Sequence, residues 1–169
     1  MKVVFAESVV ISTTQIPDGF FCIRYYDGLE KEWLDLINSS GEFGIWNIDD
    51  LKSRILDDII PQGGILVLAG DRYVACAAIC DRNGFYPYAL LMYVIVERQY
   101  RGLGLGKLLT TQAMSTARHF GYPGVVLRTD DFRIPAVKMY YQLGFSYEPN
   151  VGLYTEAKWR ALVDSIDCQ

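Results

Sequence analysis

The chain has 169 residues, 51% hydrophobic and 21% charged, with a formal net charge of −4 at pH 7. That length fits one domain with one sizeable core, and the mild acidity without any basic block argues against nucleic acid or an anionic membrane surface as a partner. No stretch approaches the roughly 20 consecutive apolar residues of a membrane-spanning helix, and Glu7 interrupts the one N-terminal segment that resembles a signal peptide.

In chain order, residues 1–19 read as an N-terminal arm, with an extra strand or ordered segment over 3–11 and turn chemistry at Pro17-Asp18-Gly19. A strand is expected over 20–26. Leu29, Trp33, Leu36 and Ile37 then recur at helical spacing, and the helix they mark ends near Ser39-Ser40-Gly41. Residues 41–47 carry two glycines and two large aromatics, the composition of a packed cover or a ligand lid. Asp49-Asp50 is expected to cap a second helix with Leu51, Ile55, Leu56 and Ile59 as its buried stripe, stopped by Pro61-Gln62-Gly63-Gly64. Strands over 65–69 and 73–80 follow, joined by the hairpin signal Gly70-Asp71-Arg72, and a turn at 81–87 leads into residues 90–96.

Residues 90–96 form an unbroken apolar run, the pattern of a strand buried on both faces. Arg101-Gly102-Leu103-Gly104-Leu105-Gly106-Lys107 comes next, and then Leu108, Leu109, Gln112, Ala113, Thr116 and Ala117 continue at helical spacing up to Gly121. A valine-rich strand over 124–129 should lie parallel to the 90–96 strand. Asp130, Asp131 and Pro135 start a short helix through Ala136, Val137, Tyr140 and Leu143. A last strand is expected over 145–148 and a C-terminal amphipathic helix over 155–167. The sum is a single α+β domain over residues 1–169, with a mixed, mostly antiparallel sheet between helices on both faces.

The glycines sit where a buried strand becomes a helix. Unpaired N–H groups and the positive end of the helix dipole suit a phosphate there, and glycine lets the backbone approach it closely. A P-loop needs G-x-x-x-x-G-K-[S/T]. Counting back from Gly106-Lys107 puts Arg101 at the first glycine, and Leu108 follows the lysine. A dinucleotide fingerprint needs a third glycine where Lys107 stands. The pattern R/Q-x-x-G-x-G/A is met in full by Arg101-x-x-Gly104-x-Gly106.

With that pattern, with Val96 five residues before the arginine, Tyr100 just before it, and Ala136-x-x-x-Tyr140-x-x-Leu143-Gly144-Phe145 downstream, the chain resembles the GCN5-related N-acetyltransferase superfamily. The resemblance implies a three-layer fold and acetyl-CoA as co-substrate. It implies that Gly102, Leu103, Gly104, Gly106 and Lys107, with Arg101, hold the pyrophosphate. It further implies that a bulge splays the strand near Val94, Ile95 and Val96 so that its main chain binds the pantetheine arm, and that Tyr140 protonates the leaving thiolate. The family's usual asparagine three residues before the alanine, here before Ala136, is replaced by Arg133, counted here among the cofactor contacts. The implied activity is acetyl transfer to the amine of a small molecule or peptide by direct attack; the alternative is a catalytically silent CoA-binding module. No base stands out among Glu42, Asp81, Tyr93 and Glu97, and His119, at the far end of the glycine-turn helix, reads as structural. The acidic balance leans toward a cationic acceptor. Four cysteines without a C-x-x-C and a single histidine predict no metal site and reduced thiols in a cytoplasmic setting, and the apolar terminal segments are candidates for a homodimer interface.

Overall fold

A computed structural model describes residues 1–5, 14–130, 132–148 and 156–167. Strands β1 (Lys2–Val4), β2 (Phe20–Arg24), β3 (Ile59–Ala69), β4 (Arg72–Cys80), β5 (Ala89–Val96) and β6 (Gly124–Leu127) form one sheet in the order β1-β6-β5-β4-β3-β2. Only β5 and β6 run parallel; the other neighbours are antiparallel. The connection between the parallel pair is helix α3 (Leu105–His119).

Strand alternation sorts the core into two layers. Ile65 and Val67 of β3 and Ala75, Ala77 and Ile79 of β4 face α3 and helix α4 (Ile134–Gln142). Their neighbours Leu66, Cys76, Ala78 and Cys80 face helices α1 (Glu30–Ser40) and α2 (Ile48–Leu51). On α3 the buried stripe includes three threonines. Thr110, Thr111 and Thr116 satisfy their hydroxyls on carbonyls four residues back, those of Gly106, Lys107 and Gln112, so a polar residue costs little on that face. The apolar stripe read at Leu29, Trp33, Leu36 and Ile37 is buried, and Gly41 closes α1 in the left-handed conformation at φ 67°.

Four elements differ from the sequence reading. The second helix is capped by Asn47, whose side chain accepts from Asp49 and Asp50 N–H groups while Asp50 reaches back to the Asn47 N–H; the aspartates are therefore not its N-cap. The helical path continues as a π-turn over Lys52–Leu56, and Ile59 already belongs to β3. Pro61-Gln62-Gly63-Gly64 does not stop a helix but lies inside β3 as a bulge, where the pairing shifts between Ile59 and Gly64. Glycine is required there by close approach: a Cβ on Gly63 would stand 2.4 Å from the Ile79 carbonyl oxygen, and one on Gly64 2.5 Å from Tyr25 Cβ. The strand expected over 145–148 is reduced to one bridge, Ser146 with Lys2. The arm over 3–11 contributes β1 as far as Val4; residues 6–13 lie outside the described set. Helix α5 (Glu156–Asp167) packs Trp159 against Tyr141 of α4.

Trp33 is fully buried between α1 and the sheet, with its ring 5.2 Å from that of Tyr25. Trp33→Ala is expected to cost about 3–5 kcal/mol, read as a lowered urea midpoint by far-UV circular dichroism. An unchanged midpoint would mean that this layer does not support the fold.

Candidate active site

Strand β5 changes character half-way along. It pairs with β6 only at Ala89, Leu90 and Leu91, and from Met92 onward its β6-side edge has no sheet partner among the described residues. The cause is a bulge. Ala78 pairs with Met92 and Cys76 with Ile95, so Tyr93 and Val94 together oppose Ala77, and Tyr93 takes a positive φ of 49°. A left-handed tyrosine costs roughly 1–2 kcal/mol. Its ring is held edge-on by Phe43 at 5.2 Å and Trp46 at 4.9 Å, pairs worth about 0.5–1.5 kcal/mol each. The aromatic loop after α1 thus offsets the strain that opens the sheet. That loop is itself tied down: Asn38 accepts from the Trp46 N–H and donates to the Trp46 carbonyl, and the Trp46 indole donates to the Phe43 carbonyl.

Main-chain direction on the open edge follows from strand alternation. Glu97 N–H donates to the Val74 carbonyl of β4 at 2.9 Å, so the Val96 N–H and C=O point away from β4. The Val96 carbonyl accepts from Arg101 Nε at 3.1 Å. Ile95 pairs with Cys76 and its side chain is buried on the α1 face, so of the three predicted strand contacts it supports the edge from behind.

After β5 a single 3₁₀ turn, Arg98–Tyr100, leads into the glycines. Gly102 and Gly104 adopt φ 81° and 83°, and a Cβ at either would meet nothing within 4 Å. Conformation demands glycine at both positions, and the space in front of them is open. Gly104 is the N-cap of α3 and brings no side-chain cap, which leaves the first-turn amides exposed as donors. A Cβ on Gly106 would touch Met139 Sδ at 3.4 Å, so that glycine serves the packing of α3 against α4. Leu103 and Lys107 are exposed.

Tyr140 is buried, 7% exposed, on the face of α4 that meets Phe145. Burial pushes its phenol well above the usual tyrosine value, with the Arg133 guanidinium opposing. It lines a pocket of about 310 Å³ together with Val94 and Met92 of β5, Leu127 of β6, Arg133 and Phe43. Tyr140 belongs to the α3/α4 layer and Phe43 to the α1/α2 layer, so this pocket crosses the sheet at the place where β5 and β6 part. A larger groove of about 950 Å³ runs along α1 past Val96 and Arg101 but does not include Tyr140.

The two openings are separated by one carboxylate. Glu42 accepts from Arg101 Nη2 at 2.8 Å and from Arg133 Nη1. Arg133 also donates to Asp130 at 3.1 Å and lies over the Phe43 ring at 5.8 Å. Arg101 follows β5 and Arg133 follows β6, so Glu42 joins the two lips of the cleft. Burial pushes its carboxyl up, but the hydrogen bonds from Arg133 and Arg101 outweigh this and hold it below the usual carboxylate range. The other groups considered as bases are engaged as well. Glu97 is paired with Arg72 at 2.8 Å, Asp81 accepts from the Tyr122 hydroxyl at 3.0 Å, and burial pushes the Tyr93 phenol up.

The sequence model of the acetyltransferase (GNAT) family matches residues 30–145, which spans both lips of the cleft, the glycine turn and Tyr140. The chain belongs to that family. It is 27% identical over 143 residues to a mycothiol acetyltransferase of Thermomonospora curvata, covering 78% of this chain and 46% of that protein. It is 32% identical over 146 residues to an uncharacterized N-acetyltransferase of Schizosaccharomyces pombe, covering 82% and 83%. The chain spans about half the length of the mycothiol acetyltransferases that it matches. Among solved structures it is similar to a GCN5-related N-acetyltransferase of Sphaerobacter thermophilus, with TM-score 0.73 and 15% identity over 87% of this chain and 47% of that one. It is also similar to the ribosomal-protein-S18-alanine N-acetyltransferase of Escherichia coli, with TM-score 0.65 and 16% identity over 76% and 79%. At such identity the likeness is one of fold.

In this GNAT domain the predicted residues divide between two adjoining openings: Val94, Arg133 and Tyr140 line the smaller pocket, Ile95, Val96 and Arg101 line the larger groove, and Gly102, Leu103, Gly104, Gly106 and Lys107 line neither. The bridging role of Glu42 is new, and so is the presence of Arg82 and Phe85 in the smaller pocket. Sequence gave no signal for these, because Glu42 meets its partners 59 and 91 residues away and Arg82 is placed by Asp58.

The pH dependence of the bridge has a definite sign. A carboxyl whose folded pKa is depressed contributes stability above its unfolded value, about 4.3 for glutamate, and loses it as pH falls through the folded value. Glu42→Gln is therefore expected to lower stability by about 1–2 kcal/mol at pH 7. The gap in Tm between wild type and variant should close as pH falls below about 4.3; a gap unchanged down to pH 3 would show that Glu42 is not held ionised by the two arginines.

Proposed function

We propose that the protein is an acetyl-CoA-dependent N-acetyltransferase. The observation that carries this reading is the opening between β5 and β6, with a β5 edge that has no sheet partner among the described residues and a buried phenol in the same pocket, followed in the chain by an uncapped helix N-terminus. Those features fit the cofactor. An edge with free main-chain groups suits the amides of a pantetheine arm, as an added strand would. The open space over Gly102 and Gly104, backed by the first-turn amides of α3, suits a pyrophosphate.

Bound acetyl-CoA would supply an activated acetyl thioester. The acceptor nitrogen then forms its bond to the acetyl carbon as the carbon–sulfur bond breaks. The N–H of Val96 points away from β4 and offers a donor for the charge that develops on the thioester oxygen. The Tyr140 hydroxyl, which receives no hydrogen bond from a described residue, keeps its proton at neutral pH and can pass it to the departing sulfur. With Glu42, Asp81 and Glu97 all engaged, the acceptor gives its ammonium proton to water before it attacks, and the second proton that its nitrogen sheds as the amide forms returns through water to the Tyr140 phenolate. Arg133, in place of the family's asparagine, shapes the cleft through Glu42 and Asp130.

Thermal shift against acetyl-CoA, NAD and ATP tests the cofactor: acetyl-CoA alone should stabilise, and stabilisation by NAD alone would overturn the reading. Gly104→Val is expected to abolish acetyl-CoA binding by calorimetry while the far-UV spectrum is kept; retained affinity would contradict the cradle at the glycine turn. Tyr140→Phe should lower kcat by about 10²-fold or more with acetyl-CoA affinity unchanged. A binding module without transfer would show the thermal shift and release no thiol with any amine.

A further inference from the structure

On the α1 side of the sheet, the pocket that holds Tyr140 has an electrostatic character opposite to that of the whole chain. Among the described residues three guanidinium groups line it, those of Arg82, Arg128 and Arg133, with the carboxylate of Asp130. The carboxylates that orient two of the arginines stand outside the lining. Asp58 accepts from Arg82 Nε at 2.7 Å, and Glu42 holds Arg133 from the neighbouring groove. Arg82 and Arg133 each keep one nitrogen in reserve. Arg82 uses Nε and Nη2, the latter on the Arg54 carbonyl at 2.8 Å, and Arg133 uses Nε and Nη1. A guanidinium carries five donors in a planar fork, so Nη1 of Arg82 and Nη2 of Arg133 have no partner among the described residues and suit a ligand. The walls between them are aromatic: Phe43, Tyr93, and Phe85 with the Arg128 guanidinium 5.1 Å above its ring. The Tyr93 phenol registers the same field: burial raises it most, and Arg54 and Arg82 both act in the opposite direction.

We infer that the acceptor of this transferase is a small amine that carries an oxyanion, a carboxylate or a phosphate, seated by Arg82 and Arg133 with its amine toward Tyr140. The inference rests on the transfer reading given above and names the class of substrate for the same site. Size agrees. About 310 Å³ sits at the small end of ligand pockets and must admit both the acetyl group and the acceptor's reacting end. Charge agrees too, because planar guanidinium forks match carboxylate and phosphate geometry and oppose a diamine. The arrangement also bears on the missing base. Neighbouring positive charge disfavours an ammonium ion, so an amine anchored by its oxyanion loses its proton to water more readily in this pocket than in bulk. The cationic acceptor favoured by the net charge of −4 is thereby replaced, since the local field, not the total, meets the substrate.

The test compares amines of matched length: 4-aminobutyrate, O-phosphoethanolamine, butylamine and 1,4-diaminobutane. Thiol release from acetyl-CoA gives kcat/KM, and thermal shift of the CoA-bound protein gives binding without turnover. At least one of the two oxyanion amines is expected to exceed butylamine by about tenfold or more in kcat/KM and to raise Tm, with the diamine below both; which oxyanion leads tells carboxylate from phosphate. The advantage should shrink in 0.5 M salt, and Arg82→Gln should bring the oxyanion-to-butylamine ratio toward one. Arg133→Gln, at the other seat of the oxyanion, repeats that measurement if the Arg82 variant fails to fold. Equal kcat/KM for acid and neutral amine, or a preference for the diamine, overturns the inference. If no amine releases thiol, the transfer reading falls, and the thermal-shift arm still decides the site: an oxyanion amine that stabilises the CoA complex above butylamine upholds it, and one that does not sinks it.

Discussion

Everything at this site depends on the place where β5 lets go of β6. The pair is continuous through Leu91 and Leu127 and then opens, because one extra residue in β5 forces Tyr93 into the left-handed region and turns the strand. A sheet that opens inside its own core leaves main-chain groups without partners, a state that is costly unless a ligand completes it. The bulge is kept by aromatic packing from the other layer: Phe43 and Trp46 grip the Tyr93 ring, and both come from the loop that follows α1. The opening between β5 and β6 is therefore held by residues of the α1/α2 layer.

The same loop supplies Glu42, which makes the coupling electrostatic as well as steric. A carboxylate with a guanidinium on either side ties the glycine turn to the start of α4 across the cleft mouth. It also leaves Glu42 engaged by two guanidinium groups. One ion-pair cluster thus fixes where the lips of the cleft stand and holds that carboxylate ionised.

Much of this was legible in the sequence, and the reasons are local. The glycine turn could be separated from other phosphate loops because its spacing is a backbone property: positive φ at Gly102 and Gly104 is needed whatever surrounds them. The α1 and α3 stripes were legible because helical periodicity survives any tertiary context. The misread elements are those in which two local meanings compete. Pro61-Gln62-Gly63-Gly64 has the chemistry of a turn, yet Gly63 and Gly64 are there to let β3 pass close to the Ile79 carbonyl and Tyr25. Asp49-Asp50 looks like a cap, yet Asn47 lies two residues before Asp49 and completes a capping box. Phe145 and Ser146 look like a strand, but β1 offers them only one bridge.

The sequence by itself determined the family and the glycine turn, because these rest on patterns written within about 60 consecutive residues, from the β5 run to Phe145. Only the tertiary structure decided which charges line the pocket beside Tyr140. Glu42, Arg82 and Arg133 come from three separate connections, and their meeting depends on how far the sheet splays and on which carboxylates, Asp58 and Asp130 among them, already hold each arginine. Charge in a pocket is a sum over neighbours brought together by folding, and no window of sequence contains that sum.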